Sequence, residues 1–248
     1  MTGDVVWLLA ACMFLGATLY TSVGHGGASA YLAIMALLGV APEVMRPTAL
    51  ALNIVVASFA SFRYARAGFF RWRALWPFLI GALPFAFLGG AVQLPGHIYR
   101  PLVGAMLLIA AVRFLWPVSP SAAANRPHDP PVLGGAACGV GVGFLSGLTG
   151  TGGGIFLSPL LLFRKWSDPR TASGVAAVFI LCNSCAGLLG NIASVRMLPP
   201  TLPIFMGAVL LGALVGTTLG IQRFSPQTIR RALGAVLVVA GVKLVGLY

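Results

Sequence analysis

The sequence predicts an all-α, polytopic helical membrane protein, an inverted repeat of two five-segment halves with a glycine-broken hairpin at the start of each. Three observations carry that expectation. Hydrophobic residues fill 58% of the 248 positions and charged ones only 8%. With the 32 glycines the apolar share reaches roughly 71%, against about 45–50% in soluble domains, which excludes a water-soluble globule and, with so few charges, a disordered chain. The apolar runs are long rather than alternating, as helices and not barrel strands require in lipid. The third observation is an internal duplication of the chain.

Asp4–Val40 is an apolar run of 37 residues, about 55 Å as a straight helix and nearly twice a hydrocarbon core. Gly24-His25-Gly26-Gly27 interrupts it, so it reads as a hairpin of two segments. The amino terminus has Asp4 and no Lys or Arg before its apolar stretch, unlike a signal peptide, and is read as part of the fold. Single spans follow at about Pro47–Arg63, Ala74–Gln93 and Tyr99–Trp116, completing a first repeat over residues 1–117. Residues 118–131, rich in Pro, Ser and Ala, read as a cytoplasmic linker. The second repeat, 132–248, opens with another over-long run, Val132–Phe163, broken at Gly150-Thr151-Gly152-Gly153-Gly154. It continues through spans at about Thr171–Gly190, Thr201–Gln222 and Thr228–Leu247.

The net charge of +12 follows from topology. If both broken regions are hairpins, 12 of the 16 basic residues gather on one face, leaving Arg46, Arg100, Arg196 and Lys243 on the other. If each crossed once, the split would be eight and eight. Positive-inside bias selects the hairpins, with both termini outside. No basic block with interleaved aromatics occurs, so no nucleic-acid partner is expected. Cys12, Cys138, Cys182 and Cys185 lie in apolar segments and describe no secreted disulfide framework. Trp7, Trp72, Trp76, Trp116 and Trp166 near span ends read as an interfacial belt.

The halves resemble each other. A shift of 126 residues places Cys12 on Cys138, Gly24 on Gly150, Gly26-Gly27 on Gly152-Gly153 and Gly81-Ala82 on Gly207-Ala208. A shift of 130 places Asn53 on Asn183 and aligns Arg100–Arg113 with Arg230–Lys243, basic at both ends. Five segments per half is an odd number, so the second copy enters from the opposite side. Inverted repeats of this kind bind substrate near the midplane, where discontinuous helices meet.

The Gly150–Gly154 break followed by Pro159-Leu-Leu, the stretch Asp168-Pro-Arg-Thr-Ala-Ser-Gly174 leading to Asn183-Ser-Cys-Ala-Gly187, and the weaker copy at Gly24–Gly27 resemble the TauE/SafE sulfite-exporter family over essentially the whole chain. The resemblance implies a multi-pass transporter of the bacterial inner membrane that carries small inorganic or organic sulfur anions such as sulfite and organosulfonates. Two departures touch substrate choice: His25 and Ala28 stand in the first break where a plainer glycine run is typical, and Gly174-Val175 replaces a common Thr-Ser dipeptide. The partners expected are the anion, the lipid bilayer and a second copy in a homodimer, with no cofactor and no metal.

The chemistry expected at the breaks is anion binding. A helix amino terminus offers unpaired N–H groups and roughly half a positive charge, and glycine lets a ligand approach that backbone. The candidate substrate-binding residues are Ser22, Gly24, His25, Gly26, Gly27, Asn53, Thr149, Gly150, Thr151, Gly152, Gly153, Gly154 and Asn183, with the hydroxyls of Thr21 and Ser29 beside them. His25 is the one ionisable side chain expected at membrane depth, as an anion or proton ligand, or equally as a neutral cap on a backbone carbonyl. Asn53 and Asn183 need a partner in hydrocarbon, whether a ligand or another helix. His97 and His128 fall in expected loops, and Cys182-Asn-Ser-Cys185 has redox spacing without the strand-to-helix setting. An intramembrane enzyme built on His25 with Ser22 or Thr21 lacks a carboxylate to orient the histidine and a Gly-x-Ser-x-Gly elbow, so no catalytic residue is expected. Asp4, Glu43, Asp129 and Asp168 lie at or beyond span ends, leaving no buried carboxylate for cation coupling. Export down the membrane potential is the transport mode expected; the alternatives are an anion channel or a proton-coupled uptake permease for thiosulfate or another small anion.

Overall fold

The computed structural model describes residues 3–115, 128–222 and 226–246. Most of the linker expected at 118–131 lies outside the described residues. Among the described residues ten α-helices follow in order: α1 Gly3–Ser22, α2 Ala28–Leu37, α3 Pro42–Arg66, α4 Trp72–Ala91, α5 Gly96–Leu115, α6 Val132–Thr149, α7 Gly154–Phe163, α8 Pro169–Gly190, α9 Leu202–Gln222 and α10 Pro226–Gly246. A short 3-10 turn, Ile192–Met197, follows α8. The described residues contain no strand. Helices α1, α3, α4, α6, α8 and α9 are each long and apolar enough to cross a membrane.

Local signals set the boundaries. Pro42 and Pro169 occupy the first turns of α3 and α8, where a missing N–H costs nothing. Asp168 caps α8, its Oδ1 accepting the N–H groups of Arg170 and Thr171 at 3.0 and 3.1 Å. Burial pushes this carboxyl up, but its hydrogen bonds from the Thr171 side chain and from backbone N–H groups outweigh that and hold it below the usual range. At each break the chain turns through left-handed glycines, Gly24 and Gly27 in the first, Gly150, Gly152 and Gly153 in the second, a conformation that a Cβ disfavours.

Both breaks reverse the chain. Helix α2 folds back along α1, with Gly16 beside Ala30 and Ile34. The start of α7 returns to the level of Val142, two turns before the end of α6, where it meets Gly153. Each hairpin pairs a long first arm with a ten-residue second arm, about 15 Å at 1.5 Å per residue, which reaches only part-way across a bilayer. The expectation of two hairpins therefore holds, with the second arms starting at Ala28 and Gly154.

Packing gives the direction of each helix. Gly135 lies against Pro77, Gly139 against Phe78 and Gly147 against Ala86, so α4 and α6 run parallel with their backbones in contact. Gly212, Gly216 and Gly220 lie in turn against Phe14, Thr18 and Ser22, so α1 and α9 run parallel in the same way. These are the small-residue contacts that bring membrane helices close in the absence of a hydrophobic drive between them. Leu50 meets Gly187 and Tyr64 meets Gly174, so α3 and α8 are antiparallel; Gly104 meets Gly241 and Leu115 meets Gly234, so α5 and α10 are too.

Two large cores meet at the α3–α8 pair, with a small third cluster of Ala60, Tyr64 and Ala177 between those helices. One of the two, including Met13, Tyr20, Tyr31 and Leu52, joins α1, α2, α3, α5, α7, α9 and α10. The other, including Phe78, Leu157, Leu161 and Phe179, joins α4, α7 and α8. Trp166 belongs to this second core, buried with its ring 6.0 Å from that of Phe78, and is not part of an interfacial belt as its position after Lys165 implied. Trp7 and Trp72 are exposed, as a belt requires.

Candidate functional site

The two breaks converge on the middle of α3. Asn53, fully buried, accepts the Ala28 N–H on Oδ1 at 3.2 Å and donates from Nδ2 to Ser184 Oγ at 3.1 Å. Gly26 lies on its Oδ1 and Gly152 on its Nδ2, both so close that a Cβ at either would strike the amide. Asn53 thus ties α2, α3 and α8 together and carries both breaks on its two faces. It is a helix-to-helix partner in this conformation, which is one of the two roles its position left open.

Tyr20, His25, Gly26, Ala28, Thr151 and Gly154 converge around one narrow gap, closed by Ile180. The gap admits no water-sized sphere. His25, buried, has Nδ1 3.0 Å from the Val23 carbonyl, so that nitrogen carries a hydrogen, and its Cδ2 faces Gly154. The amino termini of α2 and α7 both open on this gap. Their N-cap glycines, Gly27 and Gly153, provide no side-chain acceptor, so the first-turn amides depend on what neighbours supply.

The remaining candidates divide. Gly27 is packed on the Tyr31 ring, whose hydroxyl donates to the Gly26 carbonyl at 3.2 Å. Asn183, fully buried, donates to the Gly152 carbonyl at 3.4 Å, and its Oδ1 has no hydrogen-bond partner among the described residues. Gly24 sits against Ser173 and Gly150 against Arg46, each toward one end of the bundle and away from the gap. The hydroxyls of Thr21, Ser22 and Thr149 donate to the carbonyls of Ala17, Leu19 and Leu145, so their hydrogens are held by their own helices. Thr149 having spent its hydrogen, Thr151 donates to Thr149 Oγ1 across 3.1 Å. Cys182 and Cys185 are free and partly buried, and neither borders the gap.

Residues 8–244 match the family model described as sulfite exporter TauE/SafE. The chain belongs to this family. It is 38% identical over 238 residues to a probable membrane transporter protein, y4hK, of Sinorhizobium fredii, covering 95% of this chain and 96% of the relative. Two more distant relatives bear the same description: YjnA of Bacillus subtilis, 24% identical across 94% of this chain and 96% of its own, and MJ0441 of Methanocaldococcus jannaschii, 26% identical across 79% and 76%. No solved structure matches the chain. This TauE/SafE protein is a multi-pass membrane transporter and not an enzyme.

The residue that sequence reasoning missed in this TauE/SafE protein is Arg46. Read as a loop cation, it is instead 4% exposed within α3. Its Nε donates to the Gly147 carbonyl at 3.0 Å, Nη1 to Val92 at 2.8 Å, and Nη2 to Gly89 and Gly90 at 2.6 Å each. The guanidinium therefore closes the carboxyl ends of α4 and α6, whose last carbonyls have no helical partner and carry partial negative charge. It lies seven residues, two turns, before Asn53 and on the same face of α3, with Gly150 beside the first and Gly152 beside the second. His25 is thus not alone among buried ionisable groups. Ser184 and Ile180 were also missed; both lie one turn or less from Asn183 on α8, and helical spacing from that residue was the available signal.

Tyrosines hold the ends of both first arms. Tyr64 donates to the Thr21 carbonyl at 3.1 Å and Tyr99 to the Thr149 carbonyl at 2.9 Å, each on the last turn before a break. The basic loops gather at the Tyr64 end: Arg71 and Arg73 face Asp129, and Arg170 stacks on Phe69.

Proposed function

We propose that this protein is a secondary transporter, an exporter of small sulfur-containing anions such as sulfite or organosulfonates across the bacterial inner membrane. The anion binds at the midplane between the amino termini of α2 and α7, with alternating access from the two faces. The observation that carries this reading is the meeting of those two termini on opposite sides of the Asn53 amide. Two helix dipoles converging with their positive ends on the gap and a cluster of backbone N–H groups favour a negative guest without burying a fixed cation beside it.

The antiparallel pairs α3–α8 and α5–α10, with the first helix of each half packed on the fourth of the other, support reading the two halves as an inverted repeat. Such a repeat lets one hairpin move while its mate stays closed. A gap too tight for water favours a carrier over an open channel, because an anion enters only if the half-helices part. All four acidic side chains are exposed, so none is placed to bind a coupling cation. An anion leaving a negative-inside cell gains about 2.3 kcal/mol per charge per 100 mV, enough to drive export without coupling.

The test is counterflow in proteoliposomes with a panel of sulfite, thiosulfate, sulfate, sulfoacetate, taurine and acetate. Saturable exchange of one or more sulfur oxyanions is the expected result. Flux that never saturates points to a channel, and flux that strictly requires an inward proton gradient overturns export.

A further inference from the structure

A second cavity lies away from the central gap, at the end of the bundle where Arg46 sits. It has a volume of about 130 Å³, against the roughly 15 Å³ that seats one water, and is bounded by Val40, Met45, Arg100 and Lys243. It opens to the surface beside exposed Gly39 and Arg100. None of the four acidic residues lines it, and among the described residues the acidic side chain that pairs is Asp129, with Arg71 and Arg73 elsewhere.

The two cations are held together by the crossing of α5 and α10, where Gly104 and Gly241 let the backbones touch. Lys243 donates one of its three hydrogens to the Leu37 carbonyl at 2.7 Å, which anchors the ammonium at the carboxyl end of α2. Arg100 is exposed and forms no ion pair among the described residues. Two full positive charges thus face a cavity to which the carboxyl end of a ten-residue helix adds roughly half a negative charge. A net field of that sign, with room for several heavy atoms, suits a small oxyanion.

Placement links the cavity to the gate. Met45 precedes Arg46, which closes α4 and α6, and Arg100 follows Tyr99, which holds Thr149 at the second break. The duplication also places a second basic pair, Arg113 and Arg230, at the positions equivalent to Lys243 and Arg100.

The geometry points to a second anion site: the Arg100–Lys243 cavity takes one small sulfur or phosphorus oxyanion, free or as a lipid headgroup, in front of the gate formed by Arg46 and Tyr99. Its role as a vestibule rests on the reading of the protein as an anion carrier; the binding itself does not.

The experiment is calorimetric titration of sulfate into the full chain in nanodiscs at low salt, in phosphatidylcholine alone and with phosphatidylglycerol added, alongside sulfite counterflow. Arg100→Gln is expected to weaken sulfate binding at least tenfold and Arg100→Lys less than threefold. The thermal midpoint without anion stays unchanged because Arg100 is exposed. Sulfate binding lost on adding phosphatidylglycerol identifies the headgroup as occupant; binding that persists identifies the free anion. Identical isotherms for the native protein and Arg100→Gln overturn the site, even if sulfite counterflow is robust. Arg100-dependent binding without flux of any panel anion leaves the site standing and overturns the carrier instead.

Discussion

Asn53 on α3 donates to Ser184 on α8 at 3.1 Å, and the same amide accepts the first N–H of α2. One side chain thus links the two central helices and caps a half-helix. Asn53→Ala leaves a buried N–H and a buried hydroxyl without partners, at about 1–3 kcal/mol each. A fall in thermal midpoint in detergent together with loss of counterflow is expected. Asn53→Asp keeps the acceptor for Ala28 but loses the donor to Ser184 and adds a negative charge beside the gap, so it should abolish anion binding while restoring part of the stability.

Gly26 and Gly152 test the packing on either side of that amide. Alanine at Gly26 drives a Cβ into Asn53 and Ile180, and at Gly152 it adds a left-handed backbone that a side chain disfavours. Both variants should lose transport. Gly141 and Gly207 sit in helices with open space around a Cβ, so Gly141→Ala and Gly207→Ala should transport within about twofold of the native protein and unfold no earlier. Parallel flux and unfolding measurements on the four variants separate site geometry from general sensitivity of glycine.

Arg46 supplies four hydrogen bonds from a planar fork, which an ammonium cannot reproduce. Arg46→Lys should cost about 2 kcal/mol, the typical value of a hydrogen bond to a charged group. It should also raise the labelling rate of a cysteine placed at Thr149 by a membrane-impermeant thiol reagent, because the carboxyl ends of α4 and α6 come apart. An unchanged labelling rate would remove Arg46 from the gate.

Asp168 gives a pH dependence with a definite sign. Its folded carboxyl titrates below the usual range, so the cap contributes fully above the unfolded value and is lost as pH falls through the folded one. The thermal midpoint should therefore drop below about pH 4 more steeply in the native protein than in Asp168→Asn, which caps without titrating. Asp168→Ala should cost about 1 kcal/mol at neutral pH.

Much of this was legible in the chain. The glycine clusters are strong local breaks, and the count of basic residues on each face then chose hairpins over single crossings. The direction of the hydroxyls was not legible, because Thr21 and Thr149 sit on final helical turns, where a side chain bonds back to its own helix's carbonyl. Arg46 was illegible because a cation next to Pro47 looks like a span boundary in sequence. Only the convergence of α4 and α6, each ending in free carbonyls, supplies the acceptors that bury it. Trp166 likewise follows Arg164 and Lys165 like a belt residue, and the fold turns it inward against Phe78.

The gap between the amino termini of α2 and α7 is proposed to carry sulfur anions outward by alternating access. Sulfite flux in proteoliposomes under an imposed potassium-diffusion potential, at equal pH on both sides, tests it most directly. The expected result is saturable flux that reverses sign with the potential, shows counterflow, and disappears in Gly152→Ala. Flux absent without an inward proton gradient, or retained in full by Gly152→Ala, would contradict it.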